Sequence, residues 1–441
     1  MSLLPTAHFN LLVIGGGVAG IQAAIEARNL QPRKSVALVT DEIMTYSRPS
    51  LTAVISGAVS DVEKIGIFPH ETLNKSGIQV LSGYNISEIE HSIHAVYLKK
   101  IGQEQLGSTS AVTYDKLIIA TGASPLVPKT EGVGLRGVFT VRKFREALAT
   151  SEFLSSGMTA YVVGAGFVGL DTAEALSHRK LSVTLVVRSR ILRGILEQDL
   201  SQALVHRAQI RGVKILIGST IERIEGNRRV ERVVIGERAL KSDVVIFATG
   251  VEPDTRLAKS IGLTIAKNCA IRADNKMQTG LNGVYATGDC SESLDFVSGK
   301  SVYRPLGSIA ALTAKIAGAN AVGVEKTYEG IIRRQYNKIF DTEIISIGLS
   351  VEEAKNLGIS AKAFKARIKK PELFSFPQLA SKNLMRVIVN EGTDTIIGWQ
   401  VIGIKQSSLF SHYFHDCILN RKKLGDISVS GQNIELIIEQ E

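Results

Sequence analysis

Cysteine is scarce in this 441-residue chain: three residues, at 269, 290 and 417. They lie too far apart for a CxxC pair or a zinc-ligand spacing, so neither a disulfide framework nor a structural zinc motif is present in the sequence. A reducing, cytoplasmic setting is expected. Long apolar runs are lacking too. The run from Leu11 is broken by Gly15, Gly16, Gly17 and Gly20, then by Gln22 and Glu26. That is too short and too interrupted to cross a bilayer, and no membrane span is expected. No Lys or Arg precedes Arg28, so the positive start of a secretory leader is missing. Acids are in deficit, with 42 Asp and Glu against 52 Lys and Arg, a net charge of +10. The excess favours acidic partners such as phosphates, nucleic acid, acidic proteins or membrane surface, without choosing among them. A 44% hydrophobic and 21% charged composition excludes a disordered or fibrous chain. At about 150 residues per domain, the length points to roughly three domains.

What the chain does have is glycine in two patterned turns. Phe9–Ile14 reads as a buried parallel strand, Gly15-Gly16-Gly17-Val18-Ala19-Gly20 follows at once, and a helix of small residues begins at Ile21. The next strand, Val36–Val39, runs into Asp41 and Glu42. A GxGxxG between strand and helix, with acids about twenty residues on, is the dinucleotide fingerprint in its proper setting. Gly15 allows the tight turn, Gly17 lets the backbone approach a pyrophosphate, and Gly20 lets helix and strand pack closely. The helix N-terminus then offers free N–H groups to the phosphates.

The pattern recurs. The strand Ala160–Val163 leads into Gly164-Ala165-Gly166-Phe167-Val168-Gly169, then a helix, then the strand Val183–Val187. Two fingerprints imply two dinucleotides, or a duplicated fold that has lost one site. After the second strand stands no acid but Arg188-Ser189-Arg190-Ile191-Leu192-Arg193. Arg188 and Arg193 suit the 2′-phosphate of NADP, unless they form only a solvated surface cluster. Two further strands end in the same turn, Ala120-Thr121-Gly122 and Ala248-Thr249-Gly250, and a third ends in Ala286-Thr287-Gly288-Asp289. A carboxylate at a strand end can hold a polyol hydroxyl in the crevice of an open sheet; the bland reading of Asp289 is a helix cap.

These five motifs, in this order, resemble the two-dinucleotide flavoproteins of the pyridine nucleotide–disulfide oxidoreductase superfamily. The resemblance implies an α/β fold: an FAD-binding domain split over residues 1–125 and 246–326, an NAD(P)-binding domain at 126–245, and an α+β dimerisation domain at 327–441. It implies that Gly15, Gly17 and Gly20 hold the FAD pyrophosphate and that Asp41 or Glu42 takes the adenosine ribose. Thr121 and Gly122 would lie beside the cofactor, and Asp289 would hold its ribityl chain. Gly164, Gly166 and Gly169 would serve NADP, or NAD, with Gly250 at the matching turn. Phe167 matches the aromatic that covers the flavin until nicotinamide displaces it, and Asp171 stands where the family usually has Glu. Ile339-Phe340-Asp341, Gly348–Ala354 and Ile397–Gly403 resemble the dimerisation domain of NADH oxidases and coenzyme A disulfide reductases, which implies a homodimer.

One loop departs from that subgroup. Thr45–Ala53 reads Tyr46-Ser47-Arg48-Pro49, and Pro49 falls at the position of the redox cysteine. Proline cannot replace a thiolate in disulfide exchange. The Tyr-x-Arg-Pro form resembles cysteine-free reductases that serve ferredoxin or rubredoxin, although Ala53 stands where those often have Lys. Arg48 is expected near the flavin or its phosphates, or else on the surface. His412 and His415 share a helical face, but Phe410, Tyr413 and Phe414 around them suggest packing, and no metal site is expected. Lys362, Lys365, Arg367, Lys369 and Lys370 alternate with apolar residues, as in a solvated strand face or a dock for an acidic carrier or nucleic acid; nucleic acid is the less expected partner.

The expected function is an FAD-dependent NAD(P)H oxidoreductase: hydride from NADPH, or NADH, to flavin N5, then electrons to a small redox protein, a quinone or oxygen. The alternatives are a coenzyme A disulfide or polysulfide reductase, a redox-sensing flavin-binding protein with a basic surface, and a flavoprotein subunit of a larger complex.

Overall fold

The computed structural model describes residues 7–42, 44–102, 109–369, 384–403, 410–427 and 435–439. Lys370 lies outside them. The first glycine turn belongs to a seven-stranded sheet in the order 78–82, 36–40, 7–14, 109–119, 95–100, 84–90, with the short strand Val284–Ala286 paired in parallel to 109–119. That last strand returns from some 160 residues downstream, so one sheet is built from two separated parts of the chain. Leu11, Leu12 and Val13 are fully buried. Such a run has no solvent face, as expected of a parallel strand covered on both sides.

One covering layer consists of helices Val18–Leu30 and Gly307–Ala321. Their facing residues are small: Ala19, Ala23, Ala24 and Ala27 against Ala310, Ala314, Ala317 and Gly318. A Cβ on Gly318 would overlap the Ala23 carbonyl oxygen. The small residues therefore set how closely the two helices approach, and that distance fixes the helix that begins at the first glycine turn.

A second, five-stranded parallel sheet runs 138–140, 244–247, 159–163, 182–187, 214–217, beside the antiparallel meander 223–225, 232–235, 238–241. The two Rossmann-like sheets are joined by a two-stranded crossing, Ala123–Pro125 against Val251–Pro253. The C-terminal region forms a six-stranded antiparallel sheet ordered 334–339, 342–348, 396–403, 384–390, 361–369, 435–439. Trp399 is fully buried there and stacks on Phe414 at 4.7 Å. Helix Ser411–Leu419 turns Phe414, Cys417 and Ile418 inward, so its aromatic neighbourhood packs against this chain's own sheet. No described helix is long and apolar enough to cross a membrane.

Candidate functional site

The two glycine turns have nearly the same backbone. Gly15 (φ 115°) and Gly164 (φ 108°) lie where an L side chain is strained, and a Cβ on either would overlap a carbonyl oxygen, of Ala120 or of Ala248. A Cβ on Gly20 or Gly169 would overlap the carbonyl oxygen of Gly15 or Gly164. The middle glycines, Gly17 and Gly166, open helices Val18–Leu30 and Phe167–His178 without a side-chain cap. Among the described residues the space above them is free: Gly166 has nothing within 4 Å of an added Cβ, and Gly17 has only Arg48 Nη2 at 3.9 Å. Each turn thus leaves uncapped N–H groups facing open space, the arrangement that takes up phosphate.

Arg48 is the outstanding feature of the first turn. Its Nη1 is buried and has no hydrogen-bond partner among the described residues. Burial and then the Arg142 charge push its guanidinium below the ordinary arginine value, while Glu42 and Asp289 oppose the shift. A buried guanidinium nitrogen left unpaired beside a second arginine is costly without an anion. The donors therefore fit a dinucleotide pyrophosphate. Pro49 sits with Arg48 in the turn 48–50 that leads into helix Leu51–Ile55.

Asp289, at the end of the returning strand, is already engaged. Arg142 Nη2 donates to its Oδ2 at 2.7 Å, and both side chains are mostly buried. Arg142 Nε donates to the Ala123 carbonyl, and the Tyr303 hydroxyl donates to the Asp289 carbonyl at 3.1 Å. Thr121 Oγ1 donates to the Asp254 carbonyl at 2.6 Å, and Arg142 Nη2 lies 3.8 Å from a Cβ on Gly122. The structure brings Thr121, Gly122 and Asp289 together around Arg142. Gly250 (φ 113°) accepts from the Leu126 N–H in the crossing between the two sheets.

Neither candidate ribose acid ends the second strand; Thr40 does, with its side chain against Gly16. Asp41 is held by Lys143 at 2.8 Å. Glu42 accepts from the Tyr46 hydroxyl at 3.1 Å, and burial raises its pKa. Tyr46 in turn accepts from the Phe144 N–H. Thr40, Arg142, Lys143 and Tyr303 were not marked by any motif. A strand-end position was the one available signal, for Thr40.

At the second turn Phe167 begins its helix and is partly buried against the cluster that contains Tyr46, Leu51 and Val54. Asp171 faces the C-terminal sheet, where Asn337 Nδ2 donates to it at 3.2 Å. Burial, with Glu174 adding to it, raises its pKa to about 7. Arg188 is exposed and makes no ion pair among the described residues. Arg193 is engaged within the chain: its Nε donates to Glu352 at 2.6 Å, and Arg190 Nη2 donates to the same carboxylate at 2.8 Å. Both contacts come from a carboxylate more than 150 residues downstream, which the local pattern could not show.

The cysteines do not assemble. Cys290 is fully buried, donates to the Thr287 and Ile119 carbonyls, and has its thiol pKa pushed up by burial. Cys417 is buried in the C-terminal core and Cys269 is exposed. No group of three metal-ligating side chains occurs among the described residues, His412 and His415 included.

Comparison with known proteins gives one consistent answer. The family profile "Pyridine nucleotide-disulphide oxidoreductase" matches residues 9–304, and the dimerisation-domain profile of the same family matches 336–415. The chain is 32% identical over 399 residues to an NAD(P)H coenzyme A polysulfide/persulfide reductase of Pyrococcus horikoshii, covering 89% of this chain and 87% of the relative. It is 32% identical over 348 residues to an NADH oxidase of Methanocaldococcus jannaschii, covering 78% and 77%. The solved NAD-dependent persulfide reductase of A. fulgidus superposes with a TM-score of 0.88 at 28% identity, over 96% of this chain and 80% of that one.

Proposed function

The chain belongs to the pyridine nucleotide-disulphide oxidoreductase family, and we propose that within it the protein oxidises NADPH in preference to NADH and passes electrons on without a cysteine relay. It is an FAD-dependent NAD(P)H oxidoreductase. FAD, when bound, would supply the redox chemistry of hydride transfer from the nicotinamide and electron release to an acceptor. The chain's own residues bind and position. The helix end at Gly17 and the Arg48 guanidinium would hold the FAD pyrophosphate, Asp289 the ribityl chain, and Thr121 and Gly122 the cofactor's edge. Asp41 or Glu42 remains the acid assigned to the adenosine ribose. Gly166 and the helix behind it would hold the second pyrophosphate, with Phe167 covering the flavin until nicotinamide enters. Arg188 would meet the 2′-phosphate.

Residues 1–125 and 246–326 are assigned to the FAD domain, 126–245 to the NAD(P) domain, and 327–441 to a homodimer contact. The acceptor is a small redox protein, a quinone or oxygen. The observation that carries the FAD assignment is the Arg48 guanidinium, which sets Nη2 over the uncapped helix end at Gly17 and leaves its buried Nη1 without a partner among the described residues. Anaerobic titration tests the absence of a relay: NADPH should reduce the flavin with one hydride equivalent per FAD. Uptake of a second equivalent would require a redox thiol and sink the reading.

The names of the 32%-identical relatives favour a second reading, reduction of coenzyme A polysulfide or persulfide. Against it, the 45–53 loop contains no cysteine and Cys290 is sealed from solvent. Turnover compared across ferredoxin, quinone, oxygen and coenzyme A persulfide decides between them.

A further inference from the structure

The loop that follows strand Ser182–Val187 carries three arginines, and two are claimed from within the chain. Glu352, in the short helix Val351–Asn356, accepts Arg190 Nη2 on one oxygen at 2.8 Å and Arg193 Nε on the other at 2.6 Å. These two hydrogen bonds are the leading reasons its carboxyl pKa falls below the usual range. The loop is tied to the second glycine turn itself, since the Leu192 N–H donates to the Ala165 carbonyl at 2.9 Å. The carboxylate therefore sits beside the nucleotide turn, on two cations whose forked donors match a phosphate as well as a carboxylate.

The two arginines are not equally committed. Arg190 is also anchored to the Leu196 carbonyl and Ser201 and is mostly buried. Arg193 is 56% exposed and has Glu352 as its ion-pair partner. Other bonds position the helix that bears Glu352: Ser350 Oγ donates to the Gly194 carbonyl, the Val351 N–H donates to Glu197, and Glu353 holds Arg304 and Arg333. The placement of Glu352 does not depend on its own charge.

We infer that Glu352 is a specificity-determining residue: an internal counterion that occupies the arginines beside the nucleotide turn and competes with the 2′-phosphate of NADPH. This rests on the NADPH reading proposed above. Arg188 alone then supplies uncompensated charge to the phosphate, and the natural chain discriminates between the two nucleotides less than its three arginines suggest. Neutralising Glu352 frees Arg193 to turn toward the ligand.

The test uses the full-length holoenzyme, unmutated and as Glu352→Gln, which keeps the side chain's shape and one acceptor oxygen. Binding of 2′,5′-ADP and of 5′-ADP is measured by calorimetry, beside the kcat and KM of flavin reduction by NADPH and NADH. In Glu352→Gln, affinity for 2′,5′-ADP should rise about 3- to 10-fold, a gain set by one screened, charged hydrogen bond. Affinity for 5′-ADP should hold, KM for NADPH should fall, and kcat should stay. Adding Arg193→Leu should erase the gain. Equal tightening of both ligands would mean a general charge effect and overturn the inference, as would unchanged or weakened 2′,5′-ADP binding. The unmutated protein tests the underlying reading separately. If it binds the two ligands alike, the NADPH preference fails, while the change on Glu352→Gln still decides the counterion.

Discussion

The two glycine turns share a backbone and differ in what stands over them. At the first, Arg48 and Arg142 close in from other segments, Asp289 is paired and mostly buried, and Tyr46 and Tyr303 bridge neighbouring groups. At the second, Gly166 faces open space and Arg188 stands exposed. Enclosure of charge raises its electrostatic worth and slows exchange; exposure weakens each contact and permits turnover. On the proposed assignment, the same strand-turn-helix unit would serve as a seat for a resident cofactor in one copy and as a berth for an exchanging one in the other. The two helices diverge in the same sense. Two residues past the third glycine, the first has Gln22 and the second has Asp171, whose carboxyl is buried against the C-terminal sheet.

Breaking each turn should show this asymmetry most sharply. In Gly20→Val or Gly169→Val the new side chain meets a carbonyl oxygen of its own turn, which backbone shifts must relieve. Gly20→Val should yield protein that fails to retain FAD. Gly169→Val should stay yellow and remain reducible by dithionite, while reduction by NADPH falls at least about 100-fold, the loss expected when more than about 3 kcal/mol of binding is removed. Absorbance spectra and stopped-flow reduction check both. Loss of flavin from Gly169→Val would show that the turns do not act independently.

Arg48 offers the next largest effect. Arg48→Leu should weaken FAD binding by about 10- to 150-fold, for a charged hydrogen bond of about 1.5–3 kcal/mol. The flavin-free protein should melt no earlier than the unmutated one, because the substitution removes an orphaned buried donor and a like charge beside Arg142. Dissociation constants and melting temperatures with and without FAD separate binding from folding. A large drop in the melting temperature of the flavin-free form would make Arg48 a structural residue.

The features of each site readable from the sequence were local ones. The glycines, the Ala-Thr-Gly turns and Asp289 announce themselves through spacing, because a tight turn and a helix start constrain neighbouring residues. The C-terminal domain was legible through the resemblance of Ile339–Asp341, Gly348–Ala354 and Ile397–Gly403, two of which meet in neighbouring strands of its antiparallel sheet. The partners of these groups were hidden, because they are distant in sequence: Arg142 lies 147 residues from Asp289, and Glu352 lies 159 from Arg193. No periodicity marks either. The partners of the two adjacent carboxylates past the second strand were hidden for the same reason: Lys143, on Asp41, comes from across the fold, and Tyr46, on Glu42, from the following loop.

Asp171 gives a pH-dependent contrast between the two helices. Its folded pKa is about 7, raised chiefly by burial, against about 3.9 in an unfolded chain. The folded state holds the extra proton between these values. Its contribution to stability is therefore fully present below pH 4 and is lost as pH rises through 7. Asp171→Asn removes the buried charge, so it should raise stability by about 1–3 kcal/mol at pH 8 and leave it nearly unchanged at pH 4. Denaturant melts at the two pH values check this. The same substitution's lack of effect at pH 8 would place the carboxyl in a wetter environment than its contacts with Asn337 and Glu174 imply.

The smallest effect concerns the exposed edge of the second turn, where, on the proposed reading, Arg188 would act without Arg190 and Arg193. Three free arginines would give a preference for NADPH of several hundredfold or more. With two of them on Glu352, one exposed charged hydrogen bond remains. Discounted for solvent and salt to about 1–2 kcal/mol, it corresponds to about a 5- to 30-fold preference. Arg188→Glu replaces attraction by repulsion and should bring the ratio of kcat/KM values to unity or below. The change should lie in KM, because the 2′-phosphate is remote from the transferred hydride. Raising the salt concentration should shrink the unmutated preference far more than it shrinks FAD retention, since Arg188 is exposed and Arg48 is not. That contrast returns to the difference between the two turns: a preference for NADPH that resisted salt as firmly as the flavin does would mean that the second site closes over its nucleotide as the first encloses its own.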